Sequence, residues 1–231
     1  ILGIAGVAGN GQRELVEVIT GLRKAMGGKV FILGKDVTNC SPREIVEGGV
    51  AHIPEERMRI GLAPNMSVAE NLILKDYRCP PVCKGLFLDP ACIAQRAREL
   101  ISKYNIITPS KDTPAKLLSG GNIQRLILAR EISEEPRLIV AAHPTYGLDV
   151  GATEQIRQLL LRQREEGVAI LLVSEDLEEI MIMSDRIAVM FEGEIVGIVD
   201  ATEAKVEEIG MMMVGAEVQS PKLKSPQPFE L

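Results

Sequence analysis

The sequence predicts an α/β fold in which a mainly parallel β-sheet carries an inserted helical subdomain. Fully apolar runs such as RLIVAA and VAILLVS alternate with helix-period segments, a pattern typical of parallel sheets covered by helices on both faces. From MSVAENLIL to about Leu117 the pattern is instead mostly helical, with interruptions at CPP and TPSKDTP. This stretch therefore predicts a helical lobe that is separate from the sheet.

The first fifty residues predict the opening elements of the fold. The apolar run ILGIAG predicts a strand, a glycine-rich turn follows it, and ELVEVITGL has the period of a helix. A short strand is expected in KVFILG. In SPREIVEGG, Ser41 can cap a helix and Pro42 occupies its first position. Val50–Ile53 then predicts a short buried strand.

The second half of the chain predicts two more buried strands, three helices and a hairpin. SGGNIQRLILAREI opens a helix at a glycine pair, and Arg137 to Ala142 predicts a buried strand. GATEQIRQLLLRQREEG predicts a helix closed by Gly167, VAILLVS the next strand, and DLEEIMIMS a short helix capped by Asp176. RIAVMFEGEIVGIVD predicts a hairpin that turns at Glu192 and Gly193. The methionine runs MIMS and GMMMVG are interpreted as core residues, and the last dozen residues are expected to be disordered.

Length, composition and charge limit the possible functions. A chain of 231 residues with 46% hydrophobic and 25% charged residues suits one globular domain, or one domain with a smaller lobe. The net charge of −6 argues against nucleic acid as a partner, because no basic block would neutralise phosphates. No apolar run approaches the ~20 residues of a membrane span, and no signal peptide is recognisable. Since the chain lacks an initiating Met and opens on an apolar strand, we expect it to be part of a longer polypeptide.

The cysteines do not predict a metal site. Cys79, Cys83 and Cys92 fall in CPPVCKGLFLDPAC, but their spacing, without a nearby His, is a poor template for zinc. Reduced structural thiols are the expectation, also for Cys40. A disulfide of Cys83 with Cys79 or with Cys92 would need an unusual redox setting.

The turn after the first strand has the frame of a phosphate-binding loop without its lysine. In GVAGNGQREL the spacing from Gly6 to Gly11 is G-x-x-x-x-G, the frame of loops that wrap nucleotide phosphates. The next two positions, Lys and then Ser or Thr in such loops, are Gln12 and Arg13. The backbone N–H groups still predict an anion nest at a helix N-terminus, formed by Gly9, Asn10, Gly11, Gln12 and Arg13.

Arg13 leaves two interpretations open. Its charge could partly replace that of a metal ion, so that a nucleotide would be held without being cut. Alternatively, Arg13 pairs with Glu14, Glu55 or Glu175, and the site stays empty.

Several motifs, in order along the chain, resemble those of ABC-type ATPases. LSGGNIQRLILARE resembles the signature motif of that family, and PTYGLDVGA resembles the region after Walker B together with the D-loop. Together with GVAGNGQ and IPEERMRIGLAPNMSVAENL, they are similar to the second ATPase half of sugar- and nucleoside-importer ABC proteins over about residues 1 to 215. The resemblance implies a P-loop NTPase fold and ATP as the cofactor.

The side chains that perform phosphoryl chemistry in that family are replaced in this sequence. The family's Walker A lysine and Mg²⁺-binding Ser/Thr fall on Gln12 and Arg13, its Walker B Asp and catalytic Glu on Ala142 and His143, its Q-loop Gln near Pro54 and Glu55, and its H-loop His on Glu175. Phosphoryl transfer depends on positioning and on neutralising charge with Lys and Mg²⁺. Losing a general base costs about 10²–10⁴ in rate, and each lost charge-stabilising donor about 10²–10³. We therefore expect negligible hydrolysis and no bound Mg²⁺ at this loop.

Each of the two histidines has a structural and a functional interpretation. A histidine can act as a base near neutral pH, so His143 could replace the catalytic Glu. Without a lysine or a metal ion to receive the charge, a spacer or a hydrogen-bonding role for His143 is preferred. His52, on a short buried strand, is interpreted as a core histidine.

The signature and the D-loop are retained. In the family that the sequence resembles, ATP lies between two halves, clamped by the Walker motifs of one and the signature of the other. The residues implied to face the partner's γ-phosphate are Ser119, Gly120, Gly121 and Asn122, with Asp149 in the D-loop. As a local sequence, SGGN fits an ordinary helix-entry turn equally well.

The resemblance implies four regions and one function. The regions are the first part of the P-loop core (1–64), a helical signature subdomain (65–120), the second part of the core with a C-terminal hairpin (121–215) and a flexible tail (216–231). The implied function is that of a catalytically degenerate half of an ABC importer for sugars or nucleosides, which binds ATP weakly at its own loop and shares a site with a competent half. It would work with transmembrane permease subunits at the cytoplasmic face of the membrane. The rival functions are an active ATPase that uses His143 and an interaction module that binds no nucleotide.

Overall fold

The computed structural model describes residues 1–216, which form a six-stranded central sheet, two small hairpins and eight α-helices. The strands are β1 (Leu2–Ala5), β2 (Phe31–Ile32), β3 (Lys35–Asp36), β4 (Val50–Ile53), β5 (Cys83–Lys84), β6 (Phe87–Leu88), β7 (Leu138–Ala142), β8 (Ala169–Ser174), β9 (Arg186–Phe191) and β10 (Glu194–Asp200). The α-helices are α1 (Gln12–Ile19), α2 (Pro42–Glu47), α3 (Val68–Leu72), α4 (Pro90–Lys103), α5 (Gly120–Ile132), α6 (Val150–Glu165), α7 (Leu177–Met183) and α8 (Val206–Met213). A π-helical turn covers Arg57–Gly61, and 3₁₀ turns cover Ala115–Leu117 and Ala201–Glu203.

The central sheet is mainly parallel, as the alternation of apolar runs and helices predicts. Its strand order is β10–β9–β1–β8–β7–β4. β1 pairs in parallel with both β8 and β9, β7 pairs in parallel with β8, and β10 is antiparallel to β9. Every residue of β1 and β7 is buried, because helices cover both faces of such strands. The core formed by the sheet and its helices includes Ile4, Val16, Val140, Val173, Ala188 and Ile198.

The chain divides into two compact units. Of the described residues, the first contains 1–52, 137–143 and 157–216, and the second contains 53–136 and 144–156. The helical lobe predicted at 65–120 lies within the second unit, which also holds α5. The four-part division remains a prediction. Its flexible tail at 216–231, which includes the last dozen residues that were expected to be disordered, lies outside the described residues except for Ala216.

Local capping chemistry sets several helix boundaries as predicted. Ser41 caps α2 by accepting from the Glu44 N–H at 3.3 Å, while the Glu44 carboxylate accepts from the Ser41 N–H at 2.8 Å. Pro42 is the first residue of that helix. Asp176 caps α7, and Gly167, with φ 87, follows the end of α6.

The turn of the β9–β10 hairpin is also confirmed. Glu192 and Gly193 have φ values of 47 and 84, the left-handed pair typical of a two-residue type I′ turn.

Three elements differ from the sequence-based expectation. KVFILG does not form a single strand but contributes to the β2–β3 hairpin, whose turn has left-handed φ values at Leu33 and Gly34. The region predicted as mostly helical contains the β5–β6 hairpin. Strands of two residues are too short to show a period of two, so neither hairpin could be read from the pattern. Helix α8 was not predicted, although Met212 and Met213 are core residues as expected, while Met211 is exposed.

Among the described residues, no helix combines the length and the apolar character that crossing a membrane requires.

Candidate functional site

The glycine-rich turn between β1 and α1 presents free backbone N–H groups at the start of a helix. Gly9 and Gly11 have φ values of 89 and 102, where glycine is favoured. A Cβ atom at Gly9 would meet no atom within 4 Å, so this residue borders open space. Among the described residues, the N–H groups of Gly9, Gly11 and Gln12 find no hydrogen-bond acceptor. This arrangement has the backbone geometry of an anion nest at the N-terminus of α1, and the binding role of these residues remains a prediction.

Gln12, which stands where related loops carry lysine, turns into the loop. Only 5% of the residue is exposed, and its Nε2 donates to the Val7 carbonyl at 3.0 Å. A Cβ atom added to Gly6 would lie 2.3 Å from the same Nε2, so the amide lies directly over Gly6. The Val7 carbonyl also accepts from the Asn10 N–H at 3.2 Å. Gln12 therefore closes the loop on itself and brings no cationic charge to a ligand.

Neither the backbone nor the side chain of Asn10 is directed to the open side of the loop. The side chain is buried and hydrogen-bonds to the β9–β10 turn and to the end of α8. Asn10 was predicted to bind the cofactor through its N–H, yet that N–H is the donor to Val7. The nest consequently has fewer free N–H groups than the five that were predicted.

Arg13 pairs with Glu17, one turn further along α1. The Arg13 Nε lies 2.9 Å from Glu17 Oε1, and Arg23 contacts the other carboxylate oxygen at 2.8 Å. Hydrogen bonds from Arg13 and then Arg23 lower the pKa of the Glu17 carboxyl. The partner is thus Glu17 and not Glu14, Glu55 or Glu175 in this contact, and the (i, i+4) Arg–Glu spacing on one helix is a local signal for this pair.

The carboxyl ends of three parallel strands bring the other predicted positions to the same edge of the sheet as the loop. The loop follows β1, Ala142 and His143 lie at the end of β7, and Glu175 follows β8. His143 has a left-handed φ of 46, and its N–H donates to the Val173 carbonyl at 2.8 Å. Its backbone is thus held by the neighbouring strand.

The other histidine and the four cysteines were interpreted as structural residues. His52 lies on β4 but is only half-buried, so its interpretation as a core histidine is wrong in that respect. All four cysteines are free thiols. Within residues 1–216, no group of three or more His, Cys, Asp or Glu side chains is arranged to hold a metal ion.

The signature residues form the N-terminus of α5 in the second unit. Ser119 is the exposed N-cap residue, and its Oγ accepts from Asn122 Nδ2 at 2.9 Å. The Asn122 side chain is buried, and its Oδ1 accepts from the Ile107 N–H at 2.8 Å and from Arg125 at 3.2 Å. Ser119 and Gly120 are accessible to a ligand, whereas the Asn122 side chain holds the preceding turn in place.

The glycine pair allows a close approach of the predicted D-loop. A Cβ atom at Gly120 would lie 3.8 Å from Leu148, and one at Gly121 would lie 3.3 Å from Ala152. Asp149 Oδ1 accepts from the Ala152 N–H at 2.8 Å, which makes Asp149 the cap of α6. Within the second unit, the signature and the D-loop are therefore in direct contact.

Arg57 is a residue that the sequence analysis missed. Its guanidinium donates to the carbonyl of Tyr146, just before the D-loop, and burial lowers the pKa of this arginine. The Arg57 Nε is buried without a hydrogen-bond partner among the described residues. The stretch IPEERMRIGL is marked only by its resemblance to the family, and its pattern does not indicate that one arginine is partly buried.

The family profile for the ABC transporter matches residues 1–146. With the loop, the sheet and the signature helix described above, the chain belongs to this family of ATP-binding proteins, and its P-loop NTPase fold is confirmed.

The most informative relatives are import ATP-binding proteins. The chain is 46% identical to the guanosine import ATP-binding protein NupO of Bacillus subtilis (strain 168) over 216 residues, which cover 94% of this chain and 42% of NupO. It is also 46% identical to the nucleoside import ATP-binding protein NupA of Lactococcus lactis, over 94% of this chain and 43% of NupA. The glucose import ATP-binding protein TsgD13 of Haloferax volcanii is 46% identical, over 93% of this chain and 40% of TsgD13. The chain thus spans less than half the length of these relatives.

Solved structures share the fold. A dimeric ATP-binding cassette in a post-hydrolysis state, bound to ADP and phosphate, matches with a TM-score of 0.72 at 24% identity, over 87% of this chain and 85% of that chain. A nucleotide-free ATP-binding cassette from an ABC transporter also matches with a TM-score of 0.72, at 25% identity, over 91% of this chain and 87% of that chain.

Proposed function

We propose that the chain is the catalytically degenerate nucleotide-binding half of an ABC importer for nucleosides or sugars. It lends its LSGGN signature to the ATP site of a competent partner half. Names of relatives that import guanosine, nucleosides and glucose support the substrate class. The partner half, on the same or another chain, and transmembrane permease subunits complete the assembly at the cytoplasmic face of the membrane.

The observation that carries the proposal is the state of Gln12. A lysine at this position would extend a positive charge toward the phosphates, but the buried neutral amide is engaged with Val7. Free N–H groups at Gly9 and Gly11 remain, and they suit weak binding of ATP phosphates. Neither Ala142 nor Arg13 offers an oxygen ligand, so Mg²⁺ is not expected at this loop.

The signature half of the proposal rests on a different part of the molecule. Ser119 and Gly120 are exposed at the N-terminus of a thirteen-residue helix, and Gly120 adds no side chain that would keep a phosphate at a distance. Ser119 and Gly120 retain the family's signature motif, whereas the residues at and near the glycine-rich loop depart from the family's Walker motifs. A partner's ATP is therefore the ligand that the signature suits.

Two rival functions remain. In the first, His143 serves as the base of an active ATPase, and turnover by the chain alone that His143→Ala abolishes would favour it. The second is an interaction module without a ligand, which titration showing no ATP binding at either motif would favour. The neutral Gln12 amide and the pairing of Arg13 with Glu17 argue against the first rival, because phosphoryl transfer needs charge neutralisation.

The experiment compares Ser119→Arg with Gln12→Ala in the full transporter. The Ser119 hydroxyl makes no capping bond to the backbone and the residue is exposed, so an arginine should leave this domain folded. In the assembly, that side chain would occupy the space of the partner's γ-phosphate contact and lower ATP hydrolysis at least about 100-fold. Gln12→Ala should change hydrolysis by less than about threefold, since its loop faces the non-hydrolysing site.

ATPase and transport rates are measured for both variants, with Ser119→Ala as the small-side-chain control and thermal unfolding as the folding control. Intact hydrolysis in Ser119→Arg combined with its loss in Gln12→Ala would reverse the proposed division of labour.

A further inference from the structure

Asn10 connects the phosphate-binding loop to two segments that lie far away in the sequence. Its Nδ2 donates to the Met213 carbonyl at 3.1 Å, 203 positions along the chain. Its Oδ1 accepts from the Glu192 N–H at 3.2 Å, 182 positions along the chain. Its own carbonyl accepts from the Gly193 N–H at 2.9 Å. With 7% of the residue exposed, these bonds are shielded from water.

On the loop side, these bonds fix the peptide groups that surround the nest. Asn10 lies between Gly9 and Gly11, whose N–H groups are free and whose left-handed backbones can rotate with little steric resistance. A Cβ atom at Gly11 would lie 3.2 Å from the Gly193 Cα, so the β9–β10 turn sits directly on the loop. The orientation of the nest therefore depends on where Asn10 is held.

On the other side, Asn10 satisfies one of the carbonyls that the end of a helix leaves without a partner. Met213 is the last residue of α8, and Ile209, Met212 and Met213 bury the inner face of that helix. α8 packs on β9, the strand that leads into the Glu192–Gly193 turn. A displacement of α8 would thus move both the carbonyl and the turn that hold Asn10.

We propose that Asn10 is a positioning residue that couples helix α8 to the phosphate-binding loop. The position of α8 sets the affinity of the loop for nucleotide phosphates, and a bound nucleotide in turn stabilises α8. This inference rests on the proposed binding of ATP at the loop. Because coupling between two sites is reciprocal, each end can be perturbed and read at the other.

The test is a double-mutant cycle on ATP affinity, measured by calorimetry on the whole chain. Asn10→Ala removes the connection, and Ile209→Ala loosens α8 from a position that is 1% exposed. Each single change should weaken ATP binding roughly fivefold, whereas adding Ile209→Ala to Asn10→Ala should weaken it by less than about twofold further. Met211→Ala is the matched control on the same helix, because that side chain is 45% exposed, and it should leave the affinity unchanged. If Ile209→Ala does not fold, Ile209→Val replaces it.

A second measurement separates this inference from the proposed function. Amide hydrogen exchange of the ligand-free chain should quicken in loop residues 9–14 when Ile209 is replaced, and should not quicken in Met211→Ala. If the wild-type chain binds no ATP but the loop responds in this way, the coupling stands and the nucleotide-binding function falls. If ATP binds and the two substitutions act independently in the cycle, the coupling is overturned and the binding function stands.

Discussion

The charge beside the phosphate-binding loop depends on one carboxylate. Glu17 accepts hydrogen bonds from Arg13 and from Arg23, and both lower the pKa of its carboxyl. It therefore stays ionised near neutral pH and draws the Arg13 guanidinium along the helix. The charge of Arg13, which could partly replace that of a metal ion at the loop, is thereby partly neutralised.

We expect Glu17→Gln to raise the affinity of the chain for ATP. The substitution releases the Arg13 guanidinium from a charged partner at 2.9 Å. Exposed pairs of this kind are worth up to about 1 kcal/mol, so the gain should be roughly twofold to fivefold. It should shrink in high salt, which screens surface charges. Calorimetric titration of the chain with ATP at two salt concentrations measures it.

Glu47→Gln is the matched control, because it breaks an (i, i+4) Arg–Glu pair of the same kind on α2. Equal gains in both variants would mean that net charge, rather than Arg13, is responsible.

At the residue scale, the sequence predicts which groups are missing but not where the remaining side chains point. The replacement of lysine by Gln12 is visible in a local motif. That the Gln12 amide folds over Gly6, or that the Asn122 side chain is buried against the backbone of Ile107, depends on packing. For Asn10, the partners lie about 200 positions away, beyond the reach of any local pattern.

Helix beginnings were the elements that the sequence described best, because capping is local chemistry. Ser41 and Asp176 cap α2 and α7 as their neighbours in the sequence predict. Two-residue strands lack such a signal, which explains why the β5–β6 hairpin was missed. Asp149 lies between these cases, since the resemblance assigned it to nucleotide binding while the structure also makes it the cap of α6.

Asp149→Ala should destabilise the chain by about 1 kcal/mol, because the Ala152 N–H loses its side-chain acceptor. For a chain of this size, the midpoint of thermal unfolding should fall by about 2–4 °C. Asp149→Asn should keep most of the stability, since an amide oxygen also caps well. A loss in Asp149→Asn as large as in Asp149→Ala would show that the negative charge matters and that capping does not explain the effect.

For the whole molecule, the sequence predicts parallel strands but not their order. Each apolar run predicts a buried strand. The order β10–β9–β1–β8–β7–β4, however, depends on which strands pair although they are distant in the sequence. The same limit applies to the second unit. It consists of residues 53–136 and 144–156, two segments that β7 separates in the sequence. Contacts between distant segments, not local propensity, decide both.

The free energy of unfolding of the whole chain should depend on pH through the buried carboxyl of Asp76. Burial raises the pKa of Asp76 to about 6, with Glu134 adding to the shift and Arg96, bonded at 2.6 Å, opposing it. Lys75, the remaining charge in this group, also opposes the shift. Between about pH 4 and 6 the folded state holds a proton that the unfolded state has released. The contribution of Asp76 to the free energy of unfolding therefore falls as the pH rises through this window.

Asp76→Asn should remove that decline. The free energy of unfolding of the variant, taken relative to wild type, should increase between about pH 4 and 7 by at most about 3 kcal/mol. Its unfolding temperature should rise relative to wild type over the same range. Thermal unfolding in a series of buffers measures it, and Asp112→Asn, at an exposed position in the same unit, serves as the control. A constant difference between Asp76→Asn and wild type at every pH would contradict the raised pKa.

The central position of β1 has a consequence for synthesis on the ribosome. Its partners are β8 and β9, so Leu2 pairs with Leu171 on one side and with Arg186 on the other. At roughly 5–20 residues per second, the ribosome needs about 10 to 35 s to deliver those partners after β1 has been made. During that time an apolar strand has no neighbour on either edge, which is the kind of segment that aggregates or engages chaperones. Translation speed through residues 6–191 should therefore affect the yield of folded protein.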